Sequence, residues 1–466
     1  MTMVSPYGTQ SSVQLVVERA RGAQDRWWGA APSERATAIE AIADEVDRHV
    51  EELAQTANEE THLGMPRLTG EVARTTFQLR MFAGALRAGS ILNAQSEASV
   101  PGPPPQGHPA ITRRYVPIGV VAIFGASNFP FAFGVVGGDT ASALAAGCAV
   151  VVKEHPGHPR LSQRLLTLAR SALASIEAPE DLVGSVAGIQ EGIELVGAPG
   201  VRAVGFTGSL AAGRALHDVA ARRPDPIPFF GELSSLNPVV ITPEAARTRS
   251  EEIAAGFVES MTLGAGQFCT KPAVLIAPTS AGLAEKAIAL LEGLPGMTLL
   301  TPDIAARYYQ GIATFVGRPE LKVSSSSTTS DGQVTATIIE STLEEFLNPD
   351  SPVRHECFGP SAVIVTYEDP RQALEVLNID EGVLVGCVHG VDGEEIAADF
   401  LHALERRAGR VVWNGWPTGV AVAGAQMHGG PWPASTQSVH TSVGLNAVYR
   451  FARPVALQDW PSWVEV

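Results

Sequence analysis

The fold is decided by the stretch Tyr115–Phe124, which reads YVPIGVVAIF and runs directly into the loop Gly125–Pro130, GASNFP. Its β-branched and apolar residues predict a strand, and the glycine, asparagine and proline that follow predict a loop. A strand that is apolar at successive positions is typical of a parallel sheet with helices on both faces. We therefore expect an α/β fold built around this stretch.

The same order of strand, loop and helix recurs farther along the chain. Cys148–Val152 and Ala203–Phe206 are further short apolar runs, and each leads into a polar loop. Helix patterns lie between the strands at Thr140–Ala146, with Asp139 as the expected N-cap, and at Leu161–Leu173. Strands that alternate with helices predict a doubly wound parallel sheet in the first half of the chain.

The flanking segments have other patterns. Residues 11–90 carry apolar residues at steps of three and four, which predicts helices that cover the sheet. A second block of strands and helices starts near Pro228–Glu232, and the tract 324–332 predicts a polar surface loop. Val443–Pro461, with strand-like residues at Val448–Phe451, predicts a terminal strand, and the sequence leaves open whether it pairs within its own chain or with a partner subunit.

Composition limits the class of protein. The 466 residues are 45% hydrophobic and 18% charged, as in a globular protein with a large core. A net charge of −16 disfavours nucleic acid or an anionic membrane as partner. With no signal segment and no long apolar run, we expect a cytoplasmic protein without a membrane span. The spacing of the four cysteines indicates neither a disulfide framework nor a metal site: Cys148, Cys269, Cys357 and Cys387.

Cys269 is the candidate nucleophile. It lies in the stretch Leu263–Thr270, LGAGQFCT, where glycines let a ligand approach the thiol closely. The competing interpretation is a small buried core thiol. The choice between them depends on whether a base and an oxyanion donor lie nearby.

Glu232 and Asn128 are the candidates for those two roles. Glu232 ends the aromatic run Pro228–Phe230, where desolvation is expected to raise its pKa toward that of a useful base. A salt-bridged structural glutamate is the alternative. The amide of Asn128 can donate to an oxyanion, although asparagine in such a loop is also a common turn residue.

Several other polar groups follow predicted strands, at the edge where open α/β sheets bind ligands. Lys153 can bond ribose hydroxyls or a 2′-phosphate, and Gly208 and Ser209 open a helix whose N-terminus suits a pyrophosphate. In a later loop, the Glu356 carboxylate and the Phe358 ring suit a nicotinamide riboside. Each feature alone also fits an ordinary turn or surface side chain, and the glycine turn is not the G-x-G-x-x-G fingerprint.

Together these motifs resemble those of the aldehyde dehydrogenase superfamily, in the same order and over nearly the whole chain. The matching segments are Asn128–Pro130, Phe206–Gly213, Gly231–Leu233, Gly266–Cys269 and Glu356–Pro360. The chain is most similar to the branch that oxidises α-ketoglutarate semialdehyde (2,5-dioxovalerate), and bacterial fatty aldehyde dehydrogenases, which share much of the pattern, are the alternative. The segments that carry this closer likeness are Phe124–Pro130, Gly138–Cys148, Glu232–Pro238, Asn414–Val420 and His428–Thr436.

The resemblance implies catalytic roles. Cys269 attacks the aldehyde, Asn128 and the Cys269 backbone N–H hold the oxyanion, and Glu232 activates the water that hydrolyses the thioester. Phe129 and Phe268 line the substrate pocket. A coenzyme A-acylating relative is disfavoured because it would not need Glu232. A non-catalytic protein on the same scaffold is disfavoured because nucleophile, base and oxyanion donor are all retained.

It also implies a nicotinamide cofactor. Many superfamily members carry a carboxylate three positions after the lysine, where it repels a 2′-phosphate. Pro156 stands there in this chain, which favours NADP with NAD possible, although Glu154 can partly restore the repulsion. The implied cofactor contacts are Lys153 at the adenine ribose, Phe206, Gly208 and Ser209 at the pyrophosphate turn, and Glu356 and Phe358 at the nicotinamide ribose and ring.

The implied architecture has three parts. A Rossmann-type cofactor domain spans 1–231 with part of 425–445, and an α/β catalytic domain spans 232–424. A small β oligomerisation extension spans about 98–116 and 446–466, so a homodimer or homotetramer is expected.

Two questions stay open in the sequence. Arg74 and Arg80 are the candidates for binding a distal substrate carboxylate. A cysteine hydrolase remains a third reaction class, but none of the 11 histidines has a flank that marks it as the partner of Cys269.

Overall fold

Three β-sheets organise the chain in the computed structural model, which describes residues 11–326, 330, 332–461 and 463–464. The strands are β1 (Gln95–Glu97), β2 (Ile111–Pro117), β3 (Val120–Phe124), β4 (Val150–Lys153), β5 (Val183–Val186), β6 (Val201–Thr207), β7 (Phe229–Glu232), β8 (Pro238–Ile241), β9 (Val274–Pro278), β10 (Leu321–Ser325), β11 (Thr337–Ser341), β12 (Ser361–Tyr367), β13 (Val383–His389), β14 (Ala408–Trp413) and β15 (Ala452–Gln458). The α-helices are α1 (Ser12–Trp27), α2 (Pro32–Asp47), α3 (Val50–Thr61), α4 (Met65–Arg87), α5 (Gly138–Ala146), α6 (Pro159–Ser175), α7 (Ile189–Gly197), α8 (Leu210–Ala221), α9 (Pro243–Thr262), α10 (Leu283–Leu291), α11 (Pro302–Ala313), α12 (Leu343–Leu347), α13 (Pro370–Leu377) and α14 (Glu395–Glu405). Short 3-10 helices are Glu180–Leu182, Leu263–Gly266, Thr279–Ala281, Pro352–Arg354 and Leu445–Arg450.

The first sheet has the order β5-β4-β3-β6-β7, and its strands pair in parallel. The central strand β3 comes from the stretch Tyr115–Phe124 and is buried at every residue. Phe124 pairs with Lys153 of β4 and with Phe206 of β6, so three strands end at one edge. The predicted doubly wound sheet is confirmed. Its ligand-binding edge lies where the strand order reverses, between β3 and β6.

The second sheet has the order β10-β11-β12-β9-β8-β13-β14, with an antiparallel pair at the β10 edge and parallel pairs elsewhere. Successive residues of β8 point to opposite faces, so Val239 joins one apolar cluster and Val240 joins another. Helices therefore cover this sheet on both sides, as the predicted second block of strands and helices requires.

The third sheet joins β1, β2 and β15 in antiparallel pairs, so the terminal strand pairs within its own chain. The stretch Tyr115–Phe124 is divided between β2 and β3 at Gly119, whose φ is +122°. The strand predicted within Val443–Pro461 is confirmed as β15, but Val448–Phe451, its expected strand-like residues, are not part of it. Most of those residues lie in the 3-10 helix Leu445–Arg450, and β15 begins only at Ala452.

A buried ion pair explains why the strand starts late. Arg450 Nη2 donates to Asp139 Oδ1 at 2.6 Å, and both side chains are almost fully buried. This contact draws the 3-10 helix against α5 instead of letting it extend. The prediction of Asp139 as N-cap is also wrong, because Gly137 holds that position and α5 begins at Gly138.

The N-terminal helices and the polar tract 324–332 were also predicted from the sequence. The predicted helices of residues 11–90 are confirmed as α1 to α4. The tract 324–332 begins within β10, and residues 327–329 and 331 lie outside the described part. Among the described helices, none combines the length and apolarity that crossing a membrane requires. The three domain boundaries stay predictions.

Replacing Asp139 by Ala should lower the free energy of unfolding by about 3–5 kcal/mol, because it leaves a buried guanidinium without its partner. Urea unfolding followed by circular dichroism measures the loss. Glu40→Ala is the control, since the ion pair of Glu40 with Arg87 is exposed and should contribute little. Equal losses in the two variants would contradict the role of the buried pair.

Candidate active site

Cys269 lies just after the 3-10 helix Leu263–Gly266, which follows α9. Gly266 has a φ of +67°, in the left-handed region that favours glycine. A Cβ at Gly266 would lie only 2.2 Å from the carbonyl oxygen of Gly359, so the two backbones approach as closely as glycine allows. Cys269 as a whole residue is only partly buried, although its thiol group itself is desolvated.

Two buried side chains fix the backbone around the cysteine. Asn237 Nδ2 donates to the carbonyl oxygens of Cys269 at 2.8 Å and of Lys271 at 3.0 Å. Lys271 Nζ donates to three carbonyl oxygens of the loop 357–361, at 3.0, 2.9 and 2.7 Å. The cysteine loop is thereby tied to the loop that carries Glu356. The sequence reasoning assigned no role to Asn237 or Lys271.

Glu232 and His428 complete a cluster around the thiol. The Nε2 atom of His428 lies 2.9 Å from Glu232 Oε1 and 3.6 Å from Cys269 Sγ. The Ser442 hydroxyl donates to Glu232 Oε2 at 2.7 Å. One donor atom each from Glu232, Cys269 and His428 lies within 4.8 Å of the other two. A proton can therefore move among these three side chains without long-range motion.

Sequence reasoning missed His428. It appeared only within the segment His428–Thr436 of the family likeness, and no histidine was expected beside Cys269. The one available signal was its place before two glycines in a stretch without a helix or strand pattern. The flanks of the 11 histidines did not mark a partner for Cys269, and the structure shows His428 at 3.6 Å from the thiol.

The pKa shifts in this cluster define its charge state. Burial alone would favour the neutral form of Glu232, but the charge and hydrogen bond of His428, with hydrogen bonds from Ser442 and Cys269, outweigh it and lower the pKa of Glu232. Burial and the Glu232 charge raise the pKa of Cys269 well above its usual range. The expected rise in the pKa of Glu232 is therefore wrong in sign. Its neighbours make Glu232 the anion and leave the resting thiol protonated.

Asn128 reaches the cysteine loop from the end of β3. Its buried side-chain amide donates to the carbonyl oxygen of Gln267 at 2.9 Å. An amide NH₂ has two hydrogens, so one remains beyond this bond for an oxyanion. The structure brings Glu232 and Cys269 together, and it ties Asn128 to the cysteine loop two residues before Cys269.

Aromatic rings form the wall next to this cluster. Phe129 and Phe268 pack edge to face, with ring centres 5.3 Å apart. Phe129 also packs against Phe133 and the small apolar cluster to which Phe133 belongs. Both phenylalanines that were predicted to contact substrate therefore lie side by side, next to Cys269 and Asn128 in sequence.

The predicted cofactor residues fall into two groups. Ser209 and Glu356 line one cavity of about 280 Å³. Ser209 is the N-cap of α8, and Gly208 lies so close to Phe206 that a Cβ there would be 2.7 Å from the ring. The cavity therefore has a bare backbone turn and a helix N-terminus on one side and a carboxylate on the other, a combination that fits a pyrophosphate and a ribose.

The other predicted contacts lie around this cavity or farther along the sheet edge. Phe358 packs beside the apolar cluster of Tyr308. Lys153 ends β4. Burial lowers its pKa, although the negative charges of Glu154 and Glu191 act in the opposite direction. The cofactor roles of all these residues stay predictions.

Comparison with known proteins gives the context of the cluster. Residues 2–438 match the model of the aldehyde dehydrogenase family. The chain is 41% identical to alpha-ketoglutaric semialdehyde dehydrogenase 2 of Azospirillum brasilense, over 97% of this chain and 87% of that protein. It is 37% identical to alpha-ketoglutaric semialdehyde dehydrogenase of Acinetobacter baylyi, over 91% and 82% of the two chains. The crystal structure of an NAD-dependent aldehyde dehydrogenase from Sinorhizobium meliloti has the same fold, with a TM-score of 0.80 at 22% identity over 97% of this chain and 88% of the other.

Without ligand, the Cys269 thiol should react with iodoacetamide faster as the pH rises, with no plateau up to about pH 9, because its pKa lies above the ordinary value of about 8.5. Glu232→Gln should react faster than the wild type at pH 8, since loss of the neighbouring negative charge lowers the pKa of the thiol. Peptide mass spectrometry quantifies the modification, and Cys269→Ala identifies the site. A plateau below pH 8, or slower reaction in Glu232→Gln, would contradict this charge arrangement.

Proposed function

The chain belongs to the aldehyde dehydrogenase family, and on that premise we propose that it oxidises 2,5-dioxovalerate (α-ketoglutarate semialdehyde) to 2-oxoglutarate, with NADP as the preferred oxidant. The observation that carries the proposed chemistry is the contact of Glu232 and His428 with the Cys269 thiol. The two relatives that support the substrate are named for it, and the chain covers 87% and 82% of their lengths.

The first half of the reaction uses the thiol. Glu232, which shares a hydrogen bond with the Cys269 thiol, accepts its proton and releases it to solvent before the second half of the reaction. The Sγ atom then bonds to the aldehyde carbon, and the oxygen becomes an oxyanion. The free hydrogen of the Asn128 amide and the Cys269 backbone N–H stabilise that charge. When bound, NAD(P)⁺ supplies the acceptor for the hydride that leaves this carbon, and a thioester on Cys269 remains.

The second half is hydrolysis of the thioester. Glu232 takes a proton from water, whose oxygen attacks the thioester carbon. The carbon–sulfur bond then breaks with its electron pair on sulfur, the acid leaves, and the proton held by Glu232 returns to the Cys269 thiolate. The carboxylate can act as a base at neutral pH because His428 and Ser442 keep its pKa low. A water-activating carboxylate in this position supports a free acid as product, in preference to an acyl group transferred to coenzyme A.

The proposed preference for NADP is supported at the end of β4. Glu154 is buried, and its carboxylate accepts hydrogen bonds from Ser185 and Gln163, so it is occupied within the protein. Pro156 stands at the other position where a carboxylate would repel a 2′-phosphate. Lys153 offers that phosphate a positive charge.

The purified protein should form reduced nicotinamide with kcat/KM highest for 2,5-dioxovalerate, lower for succinate semialdehyde and lowest for decanal, and higher with NADP than with NAD. Steady-state absorbance at 340 nm measures all of these rates. Cys269→Ala should abolish turnover, and Glu292→Gln, an exposed carboxylate remote from the site, should leave it unchanged. No reduced nicotinamide from any aldehyde would refute the proposed reaction, and a preference for decanal would refute the proposed substrate.

A further inference from the structure

We propose that Arg67 and Arg74 form the binding site for a carboxylate at the far end of the substrate, and that this pair sets the preference for acidic aldehydes. The inference rests on the proposed function and adds the residues that recognise the substrate. Both arginines lie on α4, which is remote in sequence from Cys269.

The two arginines lie on the same face of α4 as the aromatic wall. They are separated by seven residues, with Glu71 between them, so all three project from one side of the helix. The guanidinium carbon of Arg67 lies 5.1 Å from the ring centre of Phe129 and 4.8 Å from that of Phe268. That of Arg74 lies 5.7 Å from the ring centre of Phe129. Both cations therefore border the wall next to Cys269.

Arg67 is also fixed to the catalytic loops. Its Nη2 atom donates to the backbone carbonyl of Asn128 at 2.6 Å. A Cβ at Gly264 would lie 2.5 Å from Arg67 Nη1, so the guanidinium lies against the turn that precedes Cys269. The position of this cation is thus determined by the same loops that position the nucleophile and the oxyanion donor.

Both guanidinium groups retain unused hydrogen-bond donors. Arg67 Nη1 and Arg74 Nε are buried and have no hydrogen-bond partner in the described part of the chain. No carboxylate of the described residues forms an ion pair with either arginine within 4.0 Å. Leaving such donors unpaired costs free energy, which a ligand with acceptor oxygens would recover.

The nearby acid does not neutralise the pair. Glu71 Oε1 accepts hydrogen bonds from the backbone N–H groups of Phe131 at 2.9 Å and Ala132 at 3.0 Å. Burial raises the pKa of Glu71, which favours its uncharged form. Glu71 in this form offers the two cations little compensating charge, although the Glu232 carboxylate also acts on Arg74. A planar guanidinium matches a carboxylate with paired hydrogen bonds.

The site is also close to the reacting thiol. Burial and Glu232 raise the pKa of Cys269, and the charge of Arg74 acts in the opposite direction on the same thiol. In 2,5-dioxovalerate three carbons separate the aldehyde from the carboxylate, a short chain that suits a cation near the nucleophile. Arg80, the other sequence candidate, pairs with Asp44 and Asp47 at 2.6 Å each on the exposed side of α2 and α4, so it is not available.

The test compares two aldehydes of equal chain length, 2,5-dioxovalerate and pentanal, which lacks the carboxylate. Arg74→Gln should lower kcat/KM for 2,5-dioxovalerate about tenfold to a hundredfold, mainly through KM, because a hydrogen bond to a charged group is lost. For pentanal the change should stay within about threefold. Arg67→Gln should act in the same direction, Arg74→Lys should recover part of the loss, and Arg80→Gln is the matched control on the same helix, with no effect on either substrate.

A binding measurement on an inactive variant tests the proposed carboxylate site without turnover. Calorimetric titration of 2-oxoglutarate into the Cys269→Ala protein should give a dissociation constant at least about tenfold weaker when Arg74→Gln is added. Thermal unfolding checks that the variants are folded. If Arg74→Gln is unfolded, the same measurements are made with Arg74→Lys.

The outcomes separate the two proposals. Equal losses for both aldehydes, or unchanged kcat/KM for 2,5-dioxovalerate with unchanged binding of 2-oxoglutarate, would overturn the carboxylate site while the dehydrogenase reaction stands. Wild-type protein that forms no reduced nicotinamide from either aldehyde would overturn the proposed function itself.

Discussion

The buried Glu232 carboxylate, in contact with Cys269 and His428, is the constraint on which the site depends. A charge removed from water is costly unless partners compensate it, and here His428 and Ser442 do so. The contact also joins separate parts of the chain. Glu232 ends a strand of the first sheet, Cys269 precedes a strand of the second, and His428 follows the last strand of the second. The cluster therefore forms only when both sheets are folded and in register.

The surrounding structure keeps this cluster in place. Asn237 and Lys271 bond backbone carbonyls on both sides of Cys269, and Gly266 allows the cysteine loop to touch the loop around Gly359. Such contacts act on the backbone and leave the reacting side chains free. The same arrangement explains why an anionic base and a protonated thiol can share one pocket, since each stabilises the other's charge state.

Local sequence patterns predicted most strands of the first sheet and most of the candidate site residues. They missed contacts between residues far apart in the chain. Apolar runs located β3, β4 and β6, and the rule that parallel strands end at one edge placed Lys153 and the Gly208–Ser209 turn at the same edge. The contact of His428 with Cys269 joins residues 159 positions apart, which no local pattern records. The predicted direction of the Glu232 pKa shift was wrong. The sequence indicates that Glu232 is buried, but it does not show that His428 lies next to it. The terminal strand lies in the predicted segment, but Val448–Arg450 form a 3-10 helix instead, where Arg450 pairs with Asp139 against local β propensity.

The central claim is that Glu232 is the base that releases the acid from Cys269. Intact-protein mass spectrometry of Glu232→Gln, quenched after one turnover with 2,5-dioxovalerate and NADP, tests it directly. Most Glu232→Gln subunits should carry the mass of an acyl group on Cys269, while the wild type shows almost none. Loss of the Glu232 charge lowers the pKa of the thiol, so the thioester still forms, but no base is left to hydrolyse it. An unmodified Glu232→Gln protein that still releases acid at the wild-type rate would contradict it.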